Sequence, residues 1–221
     1  MSAGKNIGEK MRTVVVTGGT VRLGKVISGT LRERGWRVLT TSHRADSGAD
    51  IICDLGVVGG AVECYSAALR LLDGEPPDAL VNNAALYTGE EERVRLIGFE
   101  SPKKLTTLMS TRENGVGSVV NILDALGDDP ASSASAAYRE AKNALADLTK
   151  THAAMFVNTL RVNSVSPGPL AALNPTAVHE KAAECPLGRP TAAAVADAVA
   201  FLLENAFVTG VDVAVDGGAR L

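Results

Sequence analysis

The sequence predicts a single α/β domain: a doubly wound parallel sheet of about seven strands with helices on both faces. Three observations predict it. Short apolar, β-branched runs alternate with longer amphipathic stretches from Arg12 to the C-terminus. A glycine segment, Thr17-Gly18-Gly19-Thr20-Val21-Arg22-Leu23-Gly24, directly follows the first run and opens a helix. Tyr138 and Lys142 stand four residues apart in a long helical stretch. Strands separated by helices imply parallel pairing. Right-handed crossovers then wind the sheet in both directions, and its ligand crevice lies at the carboxyl ends of the strands.

The elements follow in order. Arg12–Thr17 is the first strand and about Arg22–Arg34 the helix after it, ended by Gly35. Trp36–Thr40 and the short Asp50–Cys53 are the second and third strands, with a helix over about Gly60–Leu72. Pro76-Pro77 breaks the chain before the fourth strand, Asp78–Asn82. A helical pattern over about Glu91–Met109 precedes the fifth strand, Ser118–Ile122. Ala136–Phe156 is a long helix and Thr159–Val165 the sixth strand. Val195–Glu204 is helical, and Val211–Val215 is the last strand.

Composition narrows the function classes. The 221 residues are enough for one sizeable core, with 46% apolar and 21% charged residues. A net charge of −3 argues against a nucleic-acid partner. No apolar stretch approaches the length of a membrane span. Residues 1–11 are polar and read as a flexible leader without a signal core, ahead of a domain over 12–221, so a cytoplasmic location is expected. Cys53, Cys64 and Cys185 lack metal-ligand spacing and are expected to be buried free thiols.

The motifs point to redox chemistry. Four-residue spacing puts Tyr138 and Lys142 on one helix face. A nearby ammonium is expected to lower the phenol from its usual value near 10 toward neutral pH. A strand, a tight glycine turn and a helix N-terminus together form a site for a dinucleotide pyrophosphate. The second strand ends in Thr41-Ser42-His43-Arg44, without the carboxylate that would hold free ribose hydroxyls. Arg44, aided by His43 and Ser42, suits a 2′-phosphate, so NADP(H) is the expected cofactor.

These residues resemble the short-chain dehydrogenase/reductase family along nearly the whole chain. The resemblance rests on Thr17-Gly18-x-x-x-Arg22-x-Gly24, Asp54-Leu55, Asn82-Asn83-Ala84-Ala85, Tyr138-x-x-x-Lys142, Asn163-x-x-x-Pro167-Gly168 and Asp216-Gly217-Gly218. Within the family it is similar to the pteridine reductases. Arg22 stands where most relatives have glycine, Asp124 stands for the usual catalytic serine, and Tyr87 falls where those enzymes stack an aromatic on the pterin. The resemblance implies a Rossmann-like fold and a homodimer or homotetramer built on the long helices. It implies a cofactor site of Gly18, Arg22, Leu23, His43, Arg44, Asp54, Leu55, Asn83, Ala84, Lys142, Pro167 and Gly168. Asp54 would lie near the adenine and Gly168 beside the nicotinamide. Tyr138, Lys142 and Asp124 would be catalytic, and Arg22, Tyr87, Asp124 and Tyr138 would bind substrate. Residues from about Asn174 to Ala183 would cap it.

The expected reaction is NADPH-dependent reduction of a pterin-like C=N bond in a small molecule. The alternatives are reduction of a ketone and a non-catalytic nucleotide-binding scaffold. The chain departs from the family at Gly98, where an asparagine is usual, and in short segments between Asn83 and Asn121 and between Pro167 and Pro186. Asp124 is also one residue further from Tyr138 than the family spacing. His152 and His179 read as surface or satisfied residues, Glu90-Glu91-Glu92 as a solvated helix start, Asp128-Asp129-Pro130 as a turn, and Ser132, Ser133 and Ser135 as loop serines.

Overall fold

The computed structural model describes residues 11–87, 89–127, 134–170 and 185–221. The calls on residues 1–10, 128–133 and 174–183 therefore lie outside the described residues. β1 (Thr13–Val16) leads into α1 (Arg22–Glu33) and β2 (Arg37–Ser42). A short 3-10 turn precedes β3 (Ile51–Ile52), α2 (Gly60–Leu71) and β4 (Ala79–Asn82). α3 (Glu91–Arg95) runs through a π-helical turn (Leu96–Glu100) into α4 (Ser101–Met109). β5 (Gly117–Ile122), α5 (Ala136–Met155), β6 (Leu160–Pro167), α6 (Ala192–Glu204) and β7 (Asp212–Val215) complete the chain.

The seven strands are ordered β3-β2-β1-β4-β5-β6-β7 and every pair is parallel. Alternation along β1 shows how the sheet acquires two cores. Val14 and Val16 face Ile27 and Leu31 of α1 and Val195, Val199 and Leu202 of α6. Val15 faces the opposite way, onto Cys64 and Ala68 of α2 and Leu105 and Met109 of α4. The order reverses between β1 and β4, which places a crevice at their carboxyl ends, beside the glycine turn.

Most boundaries fall within two residues of the sequence reading. α6 starts earlier, at Ala192, because the Thr191 hydroxyl accepts the Ala194 N–H (3.1 Å) and caps it. β6 runs on to Pro167 because its last residues pair with β7. All three cysteines are buried and free. Among the described residues no helix is long and apolar enough to cross a membrane.

Candidate active site

The glycine turn is held from below. The Thr17 hydroxyl accepts the N–H groups of Asn83 (2.9 Å) and Ala84 (3.0 Å) and donates to Val81 O (3.3 Å). The Asn83 amide donates to Thr17 O (2.8 Å), which ties the turn to the end of β4. Gly24 sits so close to Gly18 O that a Cβ there would overlap it. α1 follows Val21, which offers no capping side chain, and has no acid in its first turn, so its leading N–H groups are open to an anion. Arg22 holds a left-handed φ of 47°, which suits glycine and strains other residues. These features fit a dinucleotide pyrophosphate.

The end of β2 differs from expectation in one respect. Arg44 is exposed, as a phosphate ligand should be, but its guanidinium pairs with Asp46 through two hydrogen bonds (3.1 and 2.9 Å). Asp46 sits in the adjoining 3-10 turn, Ala45–Ser47, and its carboxyl is held below the usual range by Arg44. Asp54 is likewise engaged. Arg93 of α3 donates to both its oxygens (3.0 and 2.8 Å), and Gly56 N–H donates to Oδ1 (2.8 Å). Burial opposes ionisation of Asp54, yet these partners outweigh it and its pKa falls. His43 adds a smaller electrostatic contribution in the same direction. Neither Asp46 nor Arg93 was singled out from sequence, because each lies outside the motifs and meets its partner only through the fold.

The catalytic candidates converge at the ends of β5 and α5. The Tyr138 hydroxyl donates to Asp124 Oδ2 at 3.0 Å. Tyr87 stacks on the Tyr138 ring, centroids 4.5 Å apart at 18°. The Lys142 ammonium donates to Ile122 O (2.5 Å) and lies 5.6 Å from the Tyr138 ring centroid. Ser135 starts α5: its hydroxyl accepts the Tyr138 N–H (3.2 Å), which corrects its reading as a plain loop serine.

The expected acidification of Tyr138 by Lys142 is absent from the protein alone. Burial, first, and then the charge of Asp124 push the Tyr138 phenol well above its usual value. Burial pulls Lys142 down to about 8, although Asp124 opposes that shift. The two groups share a helix face, as their spacing predicts, but burial and then the neighbouring Asp124 carboxylate keep the phenol protonated. Of the two readings offered for His152, the surface one does not hold: it is buried against Phe156 (4.9 Å) and kept less basic than usual by burial.

Gly98 explains the departure from the family pattern. It lies in the π-helical turn, and a Cβ there would stand 2.9 Å from Ala141 Cβ. Ala141 precedes Lys142, so helix packing closes the place where an asparagine would otherwise project. On the other side, Gly168 follows β6 so closely against Asp216 that a Cβ would meet Asp216 Cα at 2.7 Å. Asp216 shapes that turn by accepting Gly218 N–H (2.9 Å) and Arg220 Nε (3.0 Å). Asn163 braces the loop that enters β7 by donating to Val208 O (2.9 Å) and accepting Val211 N–H (3.2 Å). Pro167 and Gly168 therefore border the crevice opposite the glycine turn, at the end of β6.

The chain is similar to known proteins along most of its length. The family profile described as enoyl-(acyl carrier protein) reductase matches residues 77–220. Cis-4-hydroxycyclohexanecarboxylate dehydrogenase of Sinomonas cyclohexanicum is 40% identical over 225 residues, spanning 94% of this chain and 89% of its own. Among solved structures, the NADP complex of Pseudomonas aeruginosa RhlG superposes with a TM-score of 0.82 at 26% identity, covering 95% of this chain and 96% of its own. FolM alternative dihydrofolate reductase 1 from Brucella canis, complexed with NADP, gives 0.78 at 26% identity, covering 95% and 94%. The chain belongs to the short-chain dehydrogenase/reductase family of NAD(P)-dependent oxidoreductases.

Proposed function

We propose that this chain is an NADP(H)-dependent reductase of a pterin- or dihydropterin-like C=N bond. The observation that carries the reading is the hydrogen bond from the Tyr138 hydroxyl to Asp124 (3.0 Å), an aspartate where most of the family uses serine. An acceptor-only carboxylate suits the paired N–H donors of an amino-pyrimidine edge. It disfavours ligands that lack those donors, because its lone pairs would go unmatched. The likeness to the alternative dihydrofolate reductase supports the same substrate class. So does the strained backbone at Arg22, since such strain collects at functional sites.

The residues present fit a nicotinamide dinucleotide. The turn from Gly18 to Gly24 and the open N-terminus of α1, with Arg22 and Leu23, would hold the pyrophosphate. Arg44, His43 and Ser42 would take the 2′-phosphate, Asp54 and Leu55 the adenine, and the backbone of Asn83 and Ala84 its ribose. Lys142 would hold the nicotinamide ribose, while Pro167 and Gly168 would flank the ring. When bound, the reduced cofactor supplies a hydride.

The protein supplies position and a proton. Tyr138 is the proton donor, since burial keeps it protonated. Asp124 orients that hydroxyl and the heterocycle edge. Arg22 and Tyr87 lie at the rim: Tyr87 is half-exposed beside Tyr138, and Arg22 is exposed with its charge felt at the Tyr87 hydroxyl. Tyr87 would turn from its stack on Tyr138 to stack on the substrate ring.

A second reading is favoured by the 40% identity to a hydroxycyclohexanecarboxylate dehydrogenase: interconversion of a ring ketone and its alcohol. The test is NADPH oxidation with dihydrobiopterin, dihydrofolate and cyclohexanone carboxylates in parallel, using the wild type and Asp124→Ser. Pterin turnover that collapses in Asp124→Ser supports the first reading. Turnover of the cyclic ketones alone, unharmed by Asp124→Ser, overturns it in favour of the second.

A further inference from the structure

The bend Asp54-Leu55-Gly56, between β3 and α2, is held at two points from the α3–α4 side. Arg93 of α3 donates to both Asp54 oxygens from one nitrogen (3.0 and 2.8 Å). Its side chain lies over Gly56, where a Cβ would meet Arg93 Cγ at 2.8 Å and Cζ at 2.9 Å. The buried Ser101 hydroxyl, at the start of α4, donates to Leu55 O (2.8 Å). α2 approaches the same bend so closely that a Cβ on Gly60 would overlap Asp54 O. α3 is itself fixed in place. Val94, the residue after Arg93, belongs to one buried cluster with Ala134 and Tyr138, and the π-helical turn that follows α3 packs Gly98 on Ala141. Arg93 is therefore mounted on an element that cannot slide without disturbing the packing around Tyr138.

This mounting decides what Asp54 can still accept. A carboxylate offers about four lone-pair sites. Arg93 takes one on each oxygen and the Gly56 N–H takes another on Oδ1 (2.8 Å), which leaves one on Oδ2 among the described residues. Burial opposes ionisation of this carboxyl, and Arg93 is the partner that most outweighs it. The Arg93 and Asp54 side chains are 34% and 35% exposed, so the remaining site stays open to a ligand.

We infer that Arg93 is a positioning residue of the cofactor site: it presents Asp54 with a single open acceptor position and so makes the site select adenine over hypoxanthine. The inference rests on the proposed placement of Asp54 at the adenine. The exocyclic amine of adenine donates one hydrogen bond to the open position on Oδ2. Hypoxanthine carries a carbonyl at that place, and its lone pairs would face those of the carboxylate with no proton between them. Without Arg93 the carboxylate loses the contact that fixes its orientation, and the discrimination goes with it.

Binding titrations of the cofactor-free protein test this without any turnover. The ligands are NADPH, its deamino analogue with hypoxanthine in place of adenine, and adenosine 2′,5′-bisphosphate. The wild type should prefer NADPH to the deamino analogue by about tenfold. Arg93→Met keeps the apolar stem over Gly56 and removes the donors. It should weaken NADPH and adenosine 2′,5′-bisphosphate by about tenfold and the deamino analogue by less than about twofold, so that the preference disappears. Arg93→Lys, a point charge without the planar fork, should recover part of it. A merely structural role would weaken both dinucleotides equally. Equal weakening, an undiminished preference in folded Arg93→Met, or a wild type without preference would each overturn the inference. Asp54→Ala separates it from the placement on which it rests. A preference lost in Asp54→Ala but kept in Arg93→Met overturns the role of Arg93 and leaves the adenine beside Asp54. A preference kept in Asp54→Ala overturns both.

Discussion

Gly98 and Ala141 meet where the π-helical turn crosses α5, and a Cβ on Gly98 would lie 2.9 Å from Ala141 Cβ. The contact sets the spacing of α3 and α4 against the helix that carries Tyr138 and Lys142. Asparagine at this position should therefore damage the packing rather than restore the family pattern. Gly98→Asn is expected to lose about 1–3 kcal/mol of stability, with no gain in turnover. Denaturant unfolding beside steady-state kinetics checks this; a stable, faster variant would show that the helices can part.

Tyr138 holds a proton that burial and Asp124 keep in place. Removing its hydroxyl should reduce kcat by about 100-fold or more while NADPH affinity stays near wild type. Kinetics and fluorescence titration of Tyr138→Phe measure the two quantities separately. Wild-type turnover in this variant would remove Tyr138 from the chemistry.

The left-handed backbone at Arg22 predicts an inverted order of substitutions. Alanine normally exceeds glycine in a helix by about 1 kcal/mol. At a φ of 47° the order should reverse, with Arg22→Gly the more stable by about 1 kcal/mol. Both variants should bind cofactor more weakly than the wild type. Thermal melts that rank alanine above glycine would refute the strain.

Arg44 and Asp46 pair on the surface, so a 2′-phosphate must compete with the carboxylate for the guanidinium. Arg44→Ala should weaken NADPH by about tenfold or more while leaving NADH nearly unchanged. Asp46→Asn should act in the opposite direction and tighten NADPH by a few-fold. Titrations with both cofactors decide the matter, and an unchanged preference in both variants would exclude Arg44 from phosphate recognition.

Lys142 imposes a pH signature on the cofactor-free protein. Its folded pKa, about 8, lies below the ordinary lysine value of 10.5, so the folded state releases its proton first. Between those values the unfolded chain binds more protons, and stability must rise with pH. Below about 8 both states are charged and the full cost of the buried ammonium is present. Tyr138 works in the other direction, but only above about 10, where an unfolded phenol ionises. Lys142→Met should be more stable than wild type at pH 7 and should lack the rise between pH 8 and 10. Unfolding curves across that range test it.

The sequence by itself determined the sheet, its winding and the order of its motifs. Local spacing carries that information: alternation in Thr13–Val16 buries both faces of β1, and the glycines between Gly18 and Gly24 admit one tight turn. The same spacing brought Tyr138 and Lys142 to one helix face and placed Asp124 at the end of β5. Tertiary structure alone decided how those groups titrate, because burial and the placement of Asp124 depend on packing between β5 and α5. It also decided which cations are engaged. Asp46 meets Arg44 across a short turn, and Arg93 reaches Asp54 from 39 residues away. The contact at Gly98 has the same origin: it depends on how far apart two elements lie, a distance set by the whole core.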